Sequence, residues 1–174
     1  MIISVEQAKE LVDVKGWTDA KIERKLKAIE QTLRAYTNNN FQKRAFRRTA
    51  DIVGGLFDVP DAMLFNIGDT VQITESDLNE GLFTVVAVTV AGFTVAEEVK
   101  DEEEVLVTKV EYPEDIVDCA LNLLEWEINN RQKVGIKSET LSRHSVTYED
   151  SASMFMGYPL GILSGAKPHR KVRF

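Results

Sequence analysis

The sequence predicts an α+β fold, a small helical bundle with an inserted antiparallel β-subdomain and an extended C-terminal arm. Three observations predict it. Apolar residues recur at helical spacing in the first and third quarters of a chain of 174 residues, the period shortens to two between them, and the end is polar and basic. The expected boundaries are N-terminal helices over 1–54, a β-rich insert over 55–110, a central helix over 111–135 packing on the N-terminal helices, and an extended arm and tail over 136–174.

Ser4 and Gln7 form an S-x-x-Q capping box, so a short helix is expected from Ser4 to about Asp13, with Gly16 as its break. Thr18 and Asp19 open a stronger helix, stapled by Trp17. Ile22, Leu26, Ile29, Leu33 and Tyr36 alternate four and three apart and form one apolar stripe. Lys21, Glu23, Arg24, Lys25, Lys27 and Glu30 make its charged face, and Asn38, Asn39 and Asn40 stop it. From Gly68 the period changes. Residues 69–74, 82–90, 93–95 and 105–110 read as about four strands, with Ala91-Gly92 as a turn. Gly54-Gly55 is a flexible turn without the spacing or the Lys of a phosphate loop.

Tyr112-Pro113-Glu114-Asp115 starts the longest helix, since proline suits its first position and acids complement the dipole there. Ile116, Ala120, Leu123, Leu124, Glu127 and Ile128 hold the period, Val117, Leu121 and Trp126 widen the face, and Gly135 ends it. Ser138 to Tyr148 is polar and β-branched, which suits a hairpin or an extended arm. A single helical turn is expected around Pro159 to Ser164 before Gly165 releases the tail.

Lys and Arg number 21 against 28 for Asp and Glu, a net charge of −7, which opposes general duplex binding because phosphate contacts supply most of that affinity. The single Cys119 excludes an internal disulfide and a multi-cysteine zinc site, and its apolar helical setting suits a small buried hydrophobe. No secretion signal or membrane-length apolar run is present, so a soluble intracellular product is expected. Glu75 to Gly81 lacks the ligand register of a calcium loop and reads as a polar strand-connecting turn; no metal is assigned. His144 and His169 stand apart in polar segments without a nucleophile context. No catalytic residue and no cofactor is assigned.

Charge is placed unevenly. Lys43, Arg44, Arg47 and Arg48 form one basic cluster, Lys167, Arg170, Lys171 and Arg173 a second, and Glu97, Glu98, Asp101, Glu102, Glu103 and Glu104 an acidic block between them. Opposite patches suit head-to-tail contact between copies, with Lys43, Arg44, Arg47, Arg48, Glu102, Glu103 and Glu104 as the expected contact residues. A solvated face is the competing reading, because exposed ion pairs contribute only about 0–1 kcal/mol each.

The order of these landmarks, with Arg34-Ala35-Tyr36-Thr37-Asn38-Asn39-Asn40-Phe41, Tyr112-Pro113-Glu114-Asp115, Gly135-Ile136-Lys137-Ser138-Glu139, Ser145-Val146-Thr147-Tyr148, Gly157-Tyr158-Pro159 and Arg170-Lys171-Val172-Arg173-Phe174, resembles the head–tail connector (head-completion adaptor) proteins of long-tailed bacteriophages and prophages. The likeness spans nearly the whole chain and is one of landmarks rather than of a chemical signature. It implies a non-catalytic virion protein made in the host cytoplasm. Such a protein forms a ring of copies beneath the portal, touches a downstream tail-completion protein and lets genomic DNA pass without specific binding. It also implies that the C-terminal segment docks on the portal, here through Lys167, His169, Arg170, Lys171, Val172, Arg173 and Phe174; removing 167–174 is then expected to leave the fold intact and to abolish portal attachment. The alternatives are a small protein-binding adaptor or regulatory module acting through the β-subdomain and, third, a hydrolase with a site assembled by long-range folding.

Overall fold

The structure, a computed structural model, describes residues 1–130 and 153–172 together with the backbone of 138–141 and 144–147. Element order is α1 (Val5–Leu11), α2 (Asp19–Thr37), β1 (Gln42–Val53), β2 (Leu56–Asp58), β3 (Thr70–Thr74), β4 (Gly81–Val88), β5 (Gly92–Val95), β6 (Glu102–Val110), α3 (Glu114–Asn130), β7 (Ser138–Leu141), β8 (His144–Thr147), β9 (Met154–Phe155), β10 (Tyr158–Pro159) and α4 (Leu160–Leu163). The described residues also form 3-10 turns at Ala62–Leu64 and Ser164–His169.

The expected fold class does not hold. Six strands close into an antiparallel barrel in the order β1-β2-β5-β4-β3-β6, accompanied by four helices among the described residues, in place of a helical bundle with an inserted β-subdomain. The strand that makes closure possible is β1, whose residues were expected to belong with the N-terminal helices. Its first half reads Gln-Lys-Arg-Ala-Phe-Arg-Arg, which shows no apolar alternation, and only Ala50 and Ile52 are buried along its length. It nevertheless pairs with β6 through Gln42↔Val110 and with β2 through Val53↔Leu56. Gly54 and Gly55, at φ of 58° and 81°, supply the left-handed turn that a two-residue hairpin requires.

The chain divides into a barrel unit, Met1 with Asn40–Tyr112, and a helical unit, Ile2–Asn39 with Pro113–Phe174. The barrel has its own core, in which Ile52, Phe57, Phe65, Val71, Ile73, Phe93, Val105 and Val107 are all buried. Phe57 and Phe93 stack at 4.9 Å between ring centroids, and Phe65 meets Phe93 at the same separation. Each buried phenyl contributes about 2–3 kcal/mol through the area it removes from water.

In the helical unit α2 packs on α3. The α2 stripe Ile22, Leu26, Ile29 and Leu33 is fully buried, as are Ile116, Ala120, Leu123 and Leu124 of α3. The Ser4–Gln7 capping box forms as expected, and Asn38, left-handed at φ 48°, ends α2. Pro113 stands one position ahead of α3, its carbonyl accepting from Val117 N–H. Strands β7 and β8 pair antiparallel, while the expected helix stop at Gly135 and the landmarks Ile136, Lys137 and Tyr148 lie outside the described residues. Glu30, expected on the charged face of α2, is 3% exposed, so that face is narrower than its sequence suggests.

Candidate functional site

The C-terminal segment does not leave the helical unit as a free tail. Leu163 and Ala166 are fully buried and anchor the turn Ser164–His169. Beyond it, Asn39 Nδ2 donates to the carbonyl of His169 at 3.2 Å and Asn38 Nδ2 to that of Lys171 at 3.3 Å. The Lys171 N–H donates to the Thr37 carbonyl at 2.8 Å. These bonds use the carbonyl that the end of α2 leaves unpaired and the two asparagines that stop the helix. His169 Nε2 lies 2.6 Å from Asp115 Oδ2 in the first turn of α3. That hydrogen bond is the main cause holding the Asp115 carboxyl below its usual range.

Arg170 lies over the Tyr36 ring at 5.2 Å, and Tyr36 meets Phe155 edge-on. Of the residues expected to dock on a partner, Lys167, Arg170, Lys171 and Val172 are exposed and His169 is half-buried against Asp115. Arg173 and Phe174 lie outside the described residues. Deeper in the same unit, buried Glu127 accepts from Lys25 Nζ at 3.1 Å and from the Tyr158 hydroxyl at 2.9 Å. Sequence reasoning gave Glu127 no role. Its place in the α3 stripe, one turn after the apolar Leu123 and Leu124, was the available signal that the carboxylate is buried and bonded. Cys119 is buried, donates weakly to the Ile162 carbonyl, and its thiol is pushed up to about 11 by burial.

On the barrel, the two charged patches expected to meet between copies fall on the same β1–β6 ladder. Lys43 and Arg44 are exposed; Lys43 pairs with Glu111, whose carboxyl is lowered mainly by that hydrogen bond. Arg47 is turned onto its own barrel, its Nε donating to Thr108 Oγ1 at 3.1 Å and its guanidinium to Gln42. Arg48 donates to the Ala45 and Arg47 carbonyls and lies 3.5 Å from Asp61. Glu103 and Glu104 are exposed at the other end of the ladder.

Glu102 is not available for a partner in the same way. It accepts from Ser76 Oγ at 2.6 Å, Asp77 N–H at 2.6 Å, Asn79 Nδ2 at 2.7 Å and Leu78 N–H at 3.3 Å. The Ser76 hydroxyl is the largest cause of its lowered pKa. The carboxylate thereby organises the turn between β3 and β4, the segment read as a polar strand connection.

No family model matches the chain, and no curated protein does. Among the described residues no group of three or more His, Cys, Asp or Glu side chains is placed to hold a metal ion, and no helix is long and apolar enough to cross a membrane. An open groove of about 560 Å³ runs beside α3 and α4, lined by Asn122, Trp126, Asn129, Ile162 and Ser164 among others. Its polar groups are amides and a hydroxyl, with Glu125 the one carboxylate of the lining. The C-terminal segment places the exposed cations Lys167, Arg170 and Lys171 on a backbone that is bonded to the end of α2.

Proposed function

We propose that the chain is a structural subunit of a phage or prophage head–tail connector. It forms a ring beneath the portal and joins head to tail without catalysis. One observation carries this reading. Two landmarks of the resemblance that lie far apart in sequence meet in one structural unit, Tyr36, Thr37 and Asn38 contacting Arg170 and Lys171, and two more are bonded within that unit, Asp115 to His169 and Tyr158 to the α3 carboxylate Glu127. The segment that the resemblance assigns to the portal is held at its start and presents Lys167, Arg170, Lys171 and Val172 to solvent.

Such a segment offers cationic donors for a partner's carboxylates and carbonyls with an apolar side chain beside them. Because its backbone is already ordered through Lys171, docking costs less conformational entropy than for a disordered tail. Repetition around a ring multiplies a weak single contact. Within this reading the partners are the portal, further copies of the chain and a downstream tail-completion protein. DNA passes through the lumen, and the site of action is the head–tail junction of the virion.

The test is a mixture of the chain with its portal, imaged by electron microscopy. A density beneath the portal is expected for the wild type and not for Lys167→Glu/Lys171→Glu, in which the charges reverse while the Thr37 and Asn38 backbone bonds remain. Unchanged attachment of that variant would show that the segment is passive; no attachment of the wild type would overturn the reading. Removing 167–174 is a poorer test than the sequence suggested, since it also strips His169 from Asp115 and Lys171 from Thr37.

A second reading, an adaptor that binds a protein through the barrel, is favoured by exposed apolar side chains there. Met63 is 69% exposed, Ile67 72% and Val90 87%. Capture of a partner that Ile67→Asp abolishes, with portal binding absent, would select it.

A further inference from the structure

Strands β1 and β6 leave regular pairing twice, and each departure carries one of the charged patches. Between Gln42↔Val110 and Arg47↔Thr108, β1 advances five residues while β6 advances two. The extra residues bulge out of β1 and present Lys43, which also pairs with Glu111, and Arg44 consecutively to solvent, beside the half-buried Phe46 ring over which Lys43 lies at 5.1 Å. Between Ala50↔Val105 and Ile52↔Glu102, β6 carries the extra residue. Glu104 there takes the left-handed conformation at φ 57°, its N–H held by Asp51 Oδ1 at 2.9 Å. Regular strands alternate inward and outward, so two adjacent exposed glutamates require this bulge.

Each patch also has apolar surface. At the acidic end Val53 is 65% exposed and Leu78 55%. Both are fixed near the glutamates, because Gly54 N–H donates to Asp101 and Leu78 N–H to Glu102. The two patches are roughly 15–20 Å apart at about 3.3 Å per strand residue. That exceeds the screening length of about 8 Å at physiological salt, so they do not neutralise each other within one barrel. Phosphate is a poor occupant for the basic bulge, since the barrel segment carries six cationic and fourteen carboxylate side chains and repels polyanions as a whole. The surface of complementary sign and matching apolar centre present at equal concentration is the acidic bulge of another copy.

We infer that the barrel carries a heterologous docking pair: the Lys43–Phe46 bulge of one copy seats against Glu103, Glu104, Val53 and Leu78 of the next. The inference rests on the assembly reading in taking a second copy as the occupant, and it assigns that contact to the barrel. A heterologous contact of this kind repeats around a ring or along a filament according to its rotation.

Sedimentation velocity at low salt tests it with two variants of the full chain, Lys43→Glu/Arg44→Glu and Glu103→Lys/Glu104→Lys, each checked for fold by circular dichroism. Wild type is expected to self-associate and to dissociate as salt rises. Each variant alone sets like charges against each other and associates at least about tenfold more weakly. Mixed in equal amounts, the variants restore association, because the reversed bulge of one complements the reversed bulge of the other. A monomeric wild type, or folded variants whose mixture stays monomeric, would overturn the inference. Portal attachment measured on the same proteins separates the readings. Attachment without the barrel contact leaves the connector assignment standing, and the barrel contact without attachment removes that assignment alone.

Discussion

Glu102 sits in a run of four acidic residues, and nothing in that run separates it from its neighbours; folding does, by placing four donors around one carboxylate. Replacing it with Gln or Ala is expected to free the β3–β4 turn, read as faster amide hydrogen exchange at Asp77 and Leu78 with little change elsewhere. Asp115 behaves similarly at the C-terminal segment. Its folded pKa is depressed, so the unfolded chain binds more protons in acid. The stability this contributes is fully present above the ordinary carboxylate range and is lost as pH falls through the folded value. Denaturation curves across pH 2–7 are therefore expected to slope less for Asp115→Asn than for wild type, the range being roughly that over which a carboxylate titrates. The buried thiol of Cys119, pushed up to about 11, is expected to resist alkylation at neutral pH until denaturant is added.

At the scale of elements, what could be read and what could not divides along periodicity. The stripes of α2 and α3, the capping box at Ser4 and the strands β3 to β6 follow from apolar spacing and are present near the expected boundaries. Strand β1 was hidden because its outward face and its bulge are both basic, which erases alternation over its first half. The signal that was present was Gly54-Gly55 flanked by Ile52-Val53 and Leu56-Phe57, the pattern of a tight hairpin. Without β1 and β2 four strands remain, and four do not close this barrel. Nor could the His169–Asp115 pair be read from a separation of 54 residues. Closure also makes Gly92 indispensable. A Cβ there would stand 2.0 Å from the Phe57 carbonyl oxygen across the β2–β5 ladder. Gly92→Ala is expected to lose more than about 2 kcal/mol in urea denaturation, as overpacking beside rigid backbone does. Phe93→Ala, which removes a ring stacked on Phe57 and tilted against Phe65, is expected to lose about 3–5 kcal/mol.

Over the whole molecule, the acidity of the chain resides in one unit. The barrel segment nets −8 by side-chain charge, which leaves the remainder of the chain near neutrality at +1. Two units with separate cores are expected to unfold in distinguishable steps, and Phe93→Ala is expected to move the step belonging to the barrel while the other keeps its midpoint. Coincident shifts by calorimetry and by helical ellipticity would show instead that the units melt together.

Every strand of the barrel is bonded to a neighbour on both sides. Closure spends most main-chain donors and acceptors on neighbouring strands, but β2 covers β1 over Asp51–Val53 and leaves the part of β1 ahead of it paired with β6. Lys43, Arg44, Arg47 and Arg48 stand along that stretch, and such charges oppose the templated growth of a sheet on it.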